Sequence, residues 1–250
     1  MEIRGQRACQ ACDTEWSYYE TGSIACPNCG SLRSVGRDAE RRQHTDAPAA
    51  LPLAEFRNRI AEEPVSAYAN DLKSVLREYT RKRGFINGGE LRALDDTYLT
   101  ARTLLHTVDI LGRSREPTAD EELYMVSLYE ALADDASTAD DGDTLTGDLP
   151  NSLQEAWGLA ATDAVRAYSS DLRTWLDANP DSEASNTLGR LREHVKRVEA
   201  LQGAVDPETA TALVEIARRI GQSLRADNAD DATDALAAAR DRLDQLEQPQ

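Results

Sequence analysis

The chain has 250 residues, enough for one large domain or two modest ones, with 45 Asp and Glu against 28 Lys and Arg for a formal net charge of −17. No apolar run reaches the about 18 residues of a membrane-spanning helix, so no membrane partner is expected. An acidic excess on this scale also departs from the basic footprint of an ordinary nucleic-acid binder.

The chain opens Met1-Glu2-Ile3-Arg4, without the apolar stretch of a signal peptide. A soluble, cytoplasmic protein with reduced thiols is expected. Two paired-thiol knuckles follow, Cys9-Gln10-Ala11-Cys12 and Cys26-Pro27-Asn28-Cys29, and these four are all the cysteines of the chain. Thiolate is a soft ligand, and four in tetrahedral array suit zinc or iron. A two-residue gap lets each knuckle present both sulfurs to one ion. Gly30 supplies the positive φ such a turn needs, and Pro27 stiffens the turn in advance. Asp13 stands at the matching place after Cys12 and tolerates the left-handed region better than most residues. A redox dithiol needs one pair, not two, and structural disulfides are disfavoured in a reducing compartment. One ion per chain on Cys9, Cys12, Cys26 and Cys29 is therefore expected.

Between the knuckles, Trp16-Ser17-Tyr18-Tyr19 reads as a strand, Thr21-Gly22-Ser23 as a turn and Ile24-Ala25 as the way into the second knuckle. A third strand is expected from Leu32 to Val35. A module spanning only residues 1–37 cannot fold on its own apolar burial, so the ion would supply much of its folding energy.

Carried by the four cysteines, Pro27 and Gly30, residues 6–36 resemble the zinc ribbon of the transcription factor IIB type. The whole chain, ribbon plus acidic helical remainder, resembles zinc-ribbon proteins of halophilic archaea. That resemblance implies Zn2+ and little beyond metal binding. Rubredoxin-like knuckles of rubrerythrin-type proteins have nearly the same spacing and also carry aromatic residues after the first pair. Iron on the same cysteines, serving electron transfer, stays open as the alternative.

Residues 1–45 hold six Arg and six acids, so the whole acidic excess belongs to the remainder, and only Lys73, Lys82 and Lys196 are lysines. The acids are scattered over many segments rather than gathered in one tail. That pattern points to adaptation to molar salt, where the Debye length falls to about 3 Å and like-charge repulsion is screened. A basic partner for an acidic surface is the rival reading.

Residues 38–52 are polar and Pro/Ala-rich and read as a linker. From Leu53 to the end at 250, helical periodicity dominates, and the predicted fold is mostly α: the β ribbon followed by a bundle of about seven or eight helices. Val65, Tyr68, Leu72, Leu76 and Tyr79 share one face, as do Leu153, Trp157, Ala161, Val165, Tyr168 and Leu172. Thr118 with Glu121, and Ser152 with Glu155, have capping-box spacing, and Asp206-Pro207 marks a helix start. An Asp-rich stretch, Asp134–Asp143, separates two halves, 53–135 and 150–250. Ala67-Tyr68-x-x-Asp71-Leu72 recurs as Ala167-Tyr168-x-x-Asp171-Leu172, which raises a duplicated three-helix unit, with two helices sharing a short apolar pattern as the plainer alternative.

Catalytic patterns are missing. His44, His106 and His194 stand alone, without the Glu-x-x-His of di-iron bundles. No phosphate-binding glycine loop, nucleophile elbow or His-Glu-x-x-His occurs. The Asp134–Asp143 cluster lacks the ligand spacing of a calcium loop. The expectation is a non-catalytic, zinc-stabilised protein that engages a protein partner, with nucleic acid as the second class. Trp16, Tyr18, Tyr19, Arg33 and Arg37 are the candidate contact residues.

Overall fold

The computed structural model describes residues 1–113, 117–133 and 145–248. The Asp134–Asp143 cluster lies outside the described residues. The mostly α architecture with a small N-terminal β region stands as predicted.

Strand β2 (Gln6–Cys9) lies at the centre of a three-stranded antiparallel sheet, flanked by β3 (Glu15–Ser17) and β4 (Ser34–Gly36). The register places Arg7 opposite Trp16 and Ala8 opposite Val35. The predicted strand through Tyr19 is cut short. Tyr18 to Thr21 form a helical turn, α1, because Gly5 C=O captures the Tyr18 N–H at 2.7 Å and Gly22, at φ 62°, closes the turn. The third strand begins two residues later than expected and leaves Leu32 outside the sheet.

Strand β1 (Glu2–Ile3) pairs with β5 (Arg42–Gln43), so the chain returns to its own start before the bundle begins. A 3₁₀ turn (Leu53–Phe56) and the short α2 (Arg57–Glu62) lead into α3 (Val65–Lys82). A small hairpin, β6 (Ile86–Asn87) and β7 (Glu90–Leu91), turns on Gly88 and Gly89, both at positive φ. Then come α4 (Asp96–Leu111), α5 (Ala119–Ala133), α6 (Gln154–Ala178), α7 (Ser182–Ala200), α8 (Pro207–Arg225) and α9 (Ala229–Glu247).

Side chains that accept backbone N–H groups set several helix starts. Asp95, Asp181, Asp206 and Asn228 each cap the helix that follows, filling donors that have no intrahelical partner. Thr118 and Glu121 form the expected reciprocal box, at 2.8 and 3.3 Å. Ser152 does not cap α6. It sits inside a 3₁₀ turn (Asn151–Leu153), and its hydroxyl donates to Glu121 instead.

Helices α4 and α6 pack on each other at the centre. Helices α3 and α5 lie against α4, while α7 and α8 lie against α6, with α9 covering α8. Phe85 joins the two halves: its ring meets Tyr98 at 5.1 Å and Tyr168 at 4.8 Å, both near perpendicular. Tyr68 and Tyr168, the repeat tyrosines, are both buried but have different partners: Tyr68 donates to Met125 Sδ and Tyr168 to Arg92 C=O. Trp157 and Trp175 serve packing, with their indole N–H groups bonded to Pro207 C=O and Gly89 C=O.

The stretch 38–52, linker-like in composition, is hydrogen-bonded along much of its length. Gly89 N–H donates to Gln43 C=O, Thr45 N–H to Ile86 C=O, and Ala47 N–H to Lys82 C=O. Gln43 Nε2 reaches Thr174 C=O on α6 at 2.8 Å. Asp171 takes two donors on one oxygen, the Thr45 hydroxyl at 2.7 Å and the Phe85 N–H at 2.6 Å. This strap ties the ribbon to the 86–91 hairpin and to α6.

Candidate metal centre

The two knuckles have the same backbone wiring. Asp13 N–H returns to Cys9 C=O at 3.1 Å and Gly30 N–H to Cys26 C=O at 2.9 Å. Both closing residues take the left-handed conformation, Asp13 at φ 57° and Gly30 at φ 70°. Cys9 N–H donates to Thr14 C=O and Cys26 N–H to Ser31 C=O, at 2.9 and 3.0 Å. Asp13 thus occupies the place that glycine fills in the other turn, as its short polar side chain allows.

This wiring aims the four sulfurs at one another. All four Sγ atoms lie within 4.8 Å. Cys9–Cys29 and Cys12–Cys26 are 3.6 Å apart, and Cys12–Cys29 is 3.4 Å. A tetrahedral ion with bonds of about 2.3 Å to sulfur separates its ligands by about 3.8 Å. A disulfide would require about 2.05 Å. The spacing therefore fits four ligands around one centre, and all four cysteines are free.

Electrostatics lead to the same demand for a cation. The Thr14 hydroxyl and N–H hold the Cys12 thiol down to about 6. The Cys29 thiol is drawn down by the Ser31 N–H, yet the neighbouring sulfur of Cys12, burial and the sulfurs of Cys9 and Cys26 push it up to about 12. Burial raises the Cys26 thiol, but the Cys29 and Asn28 N–H groups outweigh it and draw that thiol down too. Ionising Cys29 as well would crowd like charges into one small centre. A divalent cation removes that conflict. The backbone N–H two residues on faces each sulfur: Ala11 at Cys9, Thr14 at Cys12, Asn28 at Cys26 and Ser31 at Cys29. Asn28 Nδ2 adds a weak contact to Cys12 Sγ at 3.8 Å. Thr14, Asn28 and Ser31 were not singled out from sequence. Their signal was their fixed offset from the cysteines.

Cys9, Cys26 and Trp16 form a small apolar cluster of their own, with Cys12 packed against it. Cys29 is exposed, so one side of the centre faces outward. Trp16 is 7 % exposed and donates from Nε1 to Ser23 C=O, which makes it core rather than contact surface. Tyr18 and Tyr19 are half-buried at the junction with the bundle, their rings 5.8 and 4.9 Å from that of His44. Tyr19 also covers Gly5, where a Cβ would collide with its ring, and Gly88, where a Cβ would meet it in tight contact. Arg33 and Arg37 are exposed, and Arg37 pairs with Glu15 at 3.2 Å. Besides Met1, the outward apolar residues of the ribbon are Ile24, Leu32 and Val35, none of them singled out from the sequence as contact residues.

The other two histidines fall where their helical faces place them. His106 Nε2 meets Asp163 at 3.1 Å between α4 and α6, and His194 lies buried near Glu247. Among the described residues, the four cysteines are the one group of three or more His, Cys, Asp or Glu close enough to share an ion.

Comparison with curated proteins and with solved structures gives no match. One family model spans residues 1–243, which takes in ribbon, strap and bundle together. The chain belongs to that family, DUF7117, a family of unknown function.

Proposed function

We propose that the protein binds one Zn2+ through Cys9, Cys12, Cys26 and Cys29 and serves as a non-catalytic interaction protein of the cytoplasm. The convergence of four sulfurs within 4.8 Å carries this reading. The ion would hold the two knuckles together and give the ribbon a rigid outer face. Leu32 is 71 % exposed and Arg33, just before β4, is exposed too, so the ribbon offers an apolar and a cationic group at consecutive positions. Such a pairing suits a protein partner that combines apolar and acidic side chains. Nucleic acid is the second class, because a four-thiolate zinc site adds about −2 to a neutral ribbon. The ribbon keeps the transcription factor IIB-type reading, and the acidic, Lys-poor remainder keeps the reading of a protein built for molar salt.

Metal analysis and a visible spectrum of the protein purified in molar potassium chloride test the centre. Colourless protein with one zinc per chain is expected. Red protein with iron would replace zinc by the rubredoxin-like alternative, and no bound metal would remove the proposal. Pull-down from native lysate, with and without nuclease, separates the partner classes: nuclease-resistant capture is expected. A melting temperature that rises with potassium chloride is the expected mark of salt adaptation, and one indifferent to salt would reject it.

A further inference from the structure

Helices α6 and α7 are joined by the short 179–181 connection and run antiparallel, leaving a groove of about 260 Å3 between them. On α6, Arg166, Ser169 and Arg173 follow the i, i+3, i+7 spacing of one helical face. On α7, Arg192, Lys196 and Glu199 follow i, i+4, i+7. Four cations and one carboxylate thus line this groove, on a chain of formal net charge −17.

Two of the cations are already committed. Arg166 pairs with Asp163 at 2.7 Å and Glu199 at 3.5 Å, and Lys196 with Glu193 at 2.8 Å. Arg173 and Arg192 have no ion-pair partner among the described residues. Ser169 is 2 % exposed and lines the groove, and its Oγ has no hydrogen-bond partner among the described residues. Other helical hydroxyls, at Thr80, Thr103, Thr162 and Thr187, donate to the carbonyl four residues back. Ser169 does not, and neither does Thr107 on α4, although buried polar groups are rarely left so.

We propose that this groove binds a phosphate group, free or as a phosphate ester. Two guanidinium forks without an ion pair among the described residues, together with a hydroxyl, offer more donors than a single carboxylate can use, while a tetrahedral dianion has oxygens for all of them. The groove volume suits a phosphate with a sugar-sized attachment. Contact pairing of this kind persists in molar salt, where screening acts over about 3 Å and beyond.

Calorimetric titration of the full chain with inorganic phosphate, at fixed molar potassium chloride, tests the proposal. One saturable site is expected. Arg173→Ala combined with Arg192→Ala weakens it about tenfold or more, and Ser169→Ala weakens it less. Arg197→Ala, on α7 outside the groove, leaves it unchanged. Helical circular dichroism checks that each variant is folded, and Ser169→Ala removes a group with no partner, so it tests the site without disturbing packing. Two further arms identify the source. Competition by adenosine monophosphate, with no binding of a thymidine oligonucleotide, assigns a small phosphate ester; oligonucleotide binding lost in the double variant assigns a phosphate backbone. Absence of saturable binding, or wild-type affinity in the double variant, overturns the proposal.

Discussion

The ribbon closes around three buried residues, Cys9, Trp16 and Cys26, whereas the bundle closes around a continuous apolar core that runs from Leu53 to Leu243. The bundle therefore has burial enough to fold on the hydrophobic effect. The ribbon does not, and its four sulfurs repel one another once ionised. An ion on the four cysteines would supply that stabilisation to the ribbon, whereas the bundle has its apolar core. Between them the 42–47 strap bonds to both, so two regions held by different forces share one junction.

The largest effect is expected from Cys26→Ser combined with Cys29→Ser. Structural zinc contributes about 10–16 kcal/mol of apparent binding free energy in small zinc-folded peptides. Loss of the metal and of ordered ribbon signals in NMR spectra is expected, with helical circular dichroism retained. A bundle that melts with the ribbon would show that the two are one cooperative unit. The complementary change, Leu172→Ala at a fully buried α6 position, should cost about 2–5 kcal/mol in denaturant unfolding and leave metal content unchanged.

Asp171→Asn tests the junction itself. It weakens acceptance from the Thr45 hydroxyl and the Phe85 N–H, and charged acceptors of this kind are worth about 1.5–3 kcal/mol. Faster amide exchange at Thr45 and Ile86, with slow exchange kept in α4, is the expected pattern; uniform loss of protection would mean that the strap is not a separate element.

A smaller effect comes from His44, which is buried between Tyr18, Tyr19 and the 86–91 hairpin. Its Nδ1 accepts the Gly88 N–H, and its Nε2 has no partner among the described residues. Burial pushes its pKa down, Asp46 opposes that, and the Met1 ammonium adds to it. The unfolded chain then takes up the proton first, so stability is complete above the ordinary histidine value of about 6.5 and falls as pH drops below it. Thermal melts between about pH 7.5 and 5.5 should show this loss in the wild type and less of it in His44→Gln. Equal pH dependence in both would place the titration elsewhere.

Local pattern was legible where a few neighbouring residues settle the geometry. The knuckle spacing, Gly30, Asp13, the Asp206-Pro207 start and the Thr118–Glu121 box could all be read from short windows. Tyr18 and Tyr19 were misread as strand because Gly5, thirteen residues before Tyr18, captures the Tyr18 N–H and starts a helical turn. Ser152 lost its capping role to Glu121, a residue on α5. The 38–52 stretch carries the composition of a linker, and its partners, Lys82, Ile86, Gly89 and Asp171, are distant in sequence. Asp71 and Asp171 occupy equivalent repeat positions, yet one pairs with Arg59 on the surface and the other anchors the strap.

Turn chemistry and apolar periodicity act over a few residues, so residue order was enough to read that four thiols could meet and that most of the chain is helical. It took the packed fold to bring the sulfurs within 4.8 Å, to bury Trp16, and to turn Arg173 and Arg192 from two helices toward one groove. Those outcomes depend on which surfaces are pressed together, and the energy of a contact depends on the partner as much as on the residue.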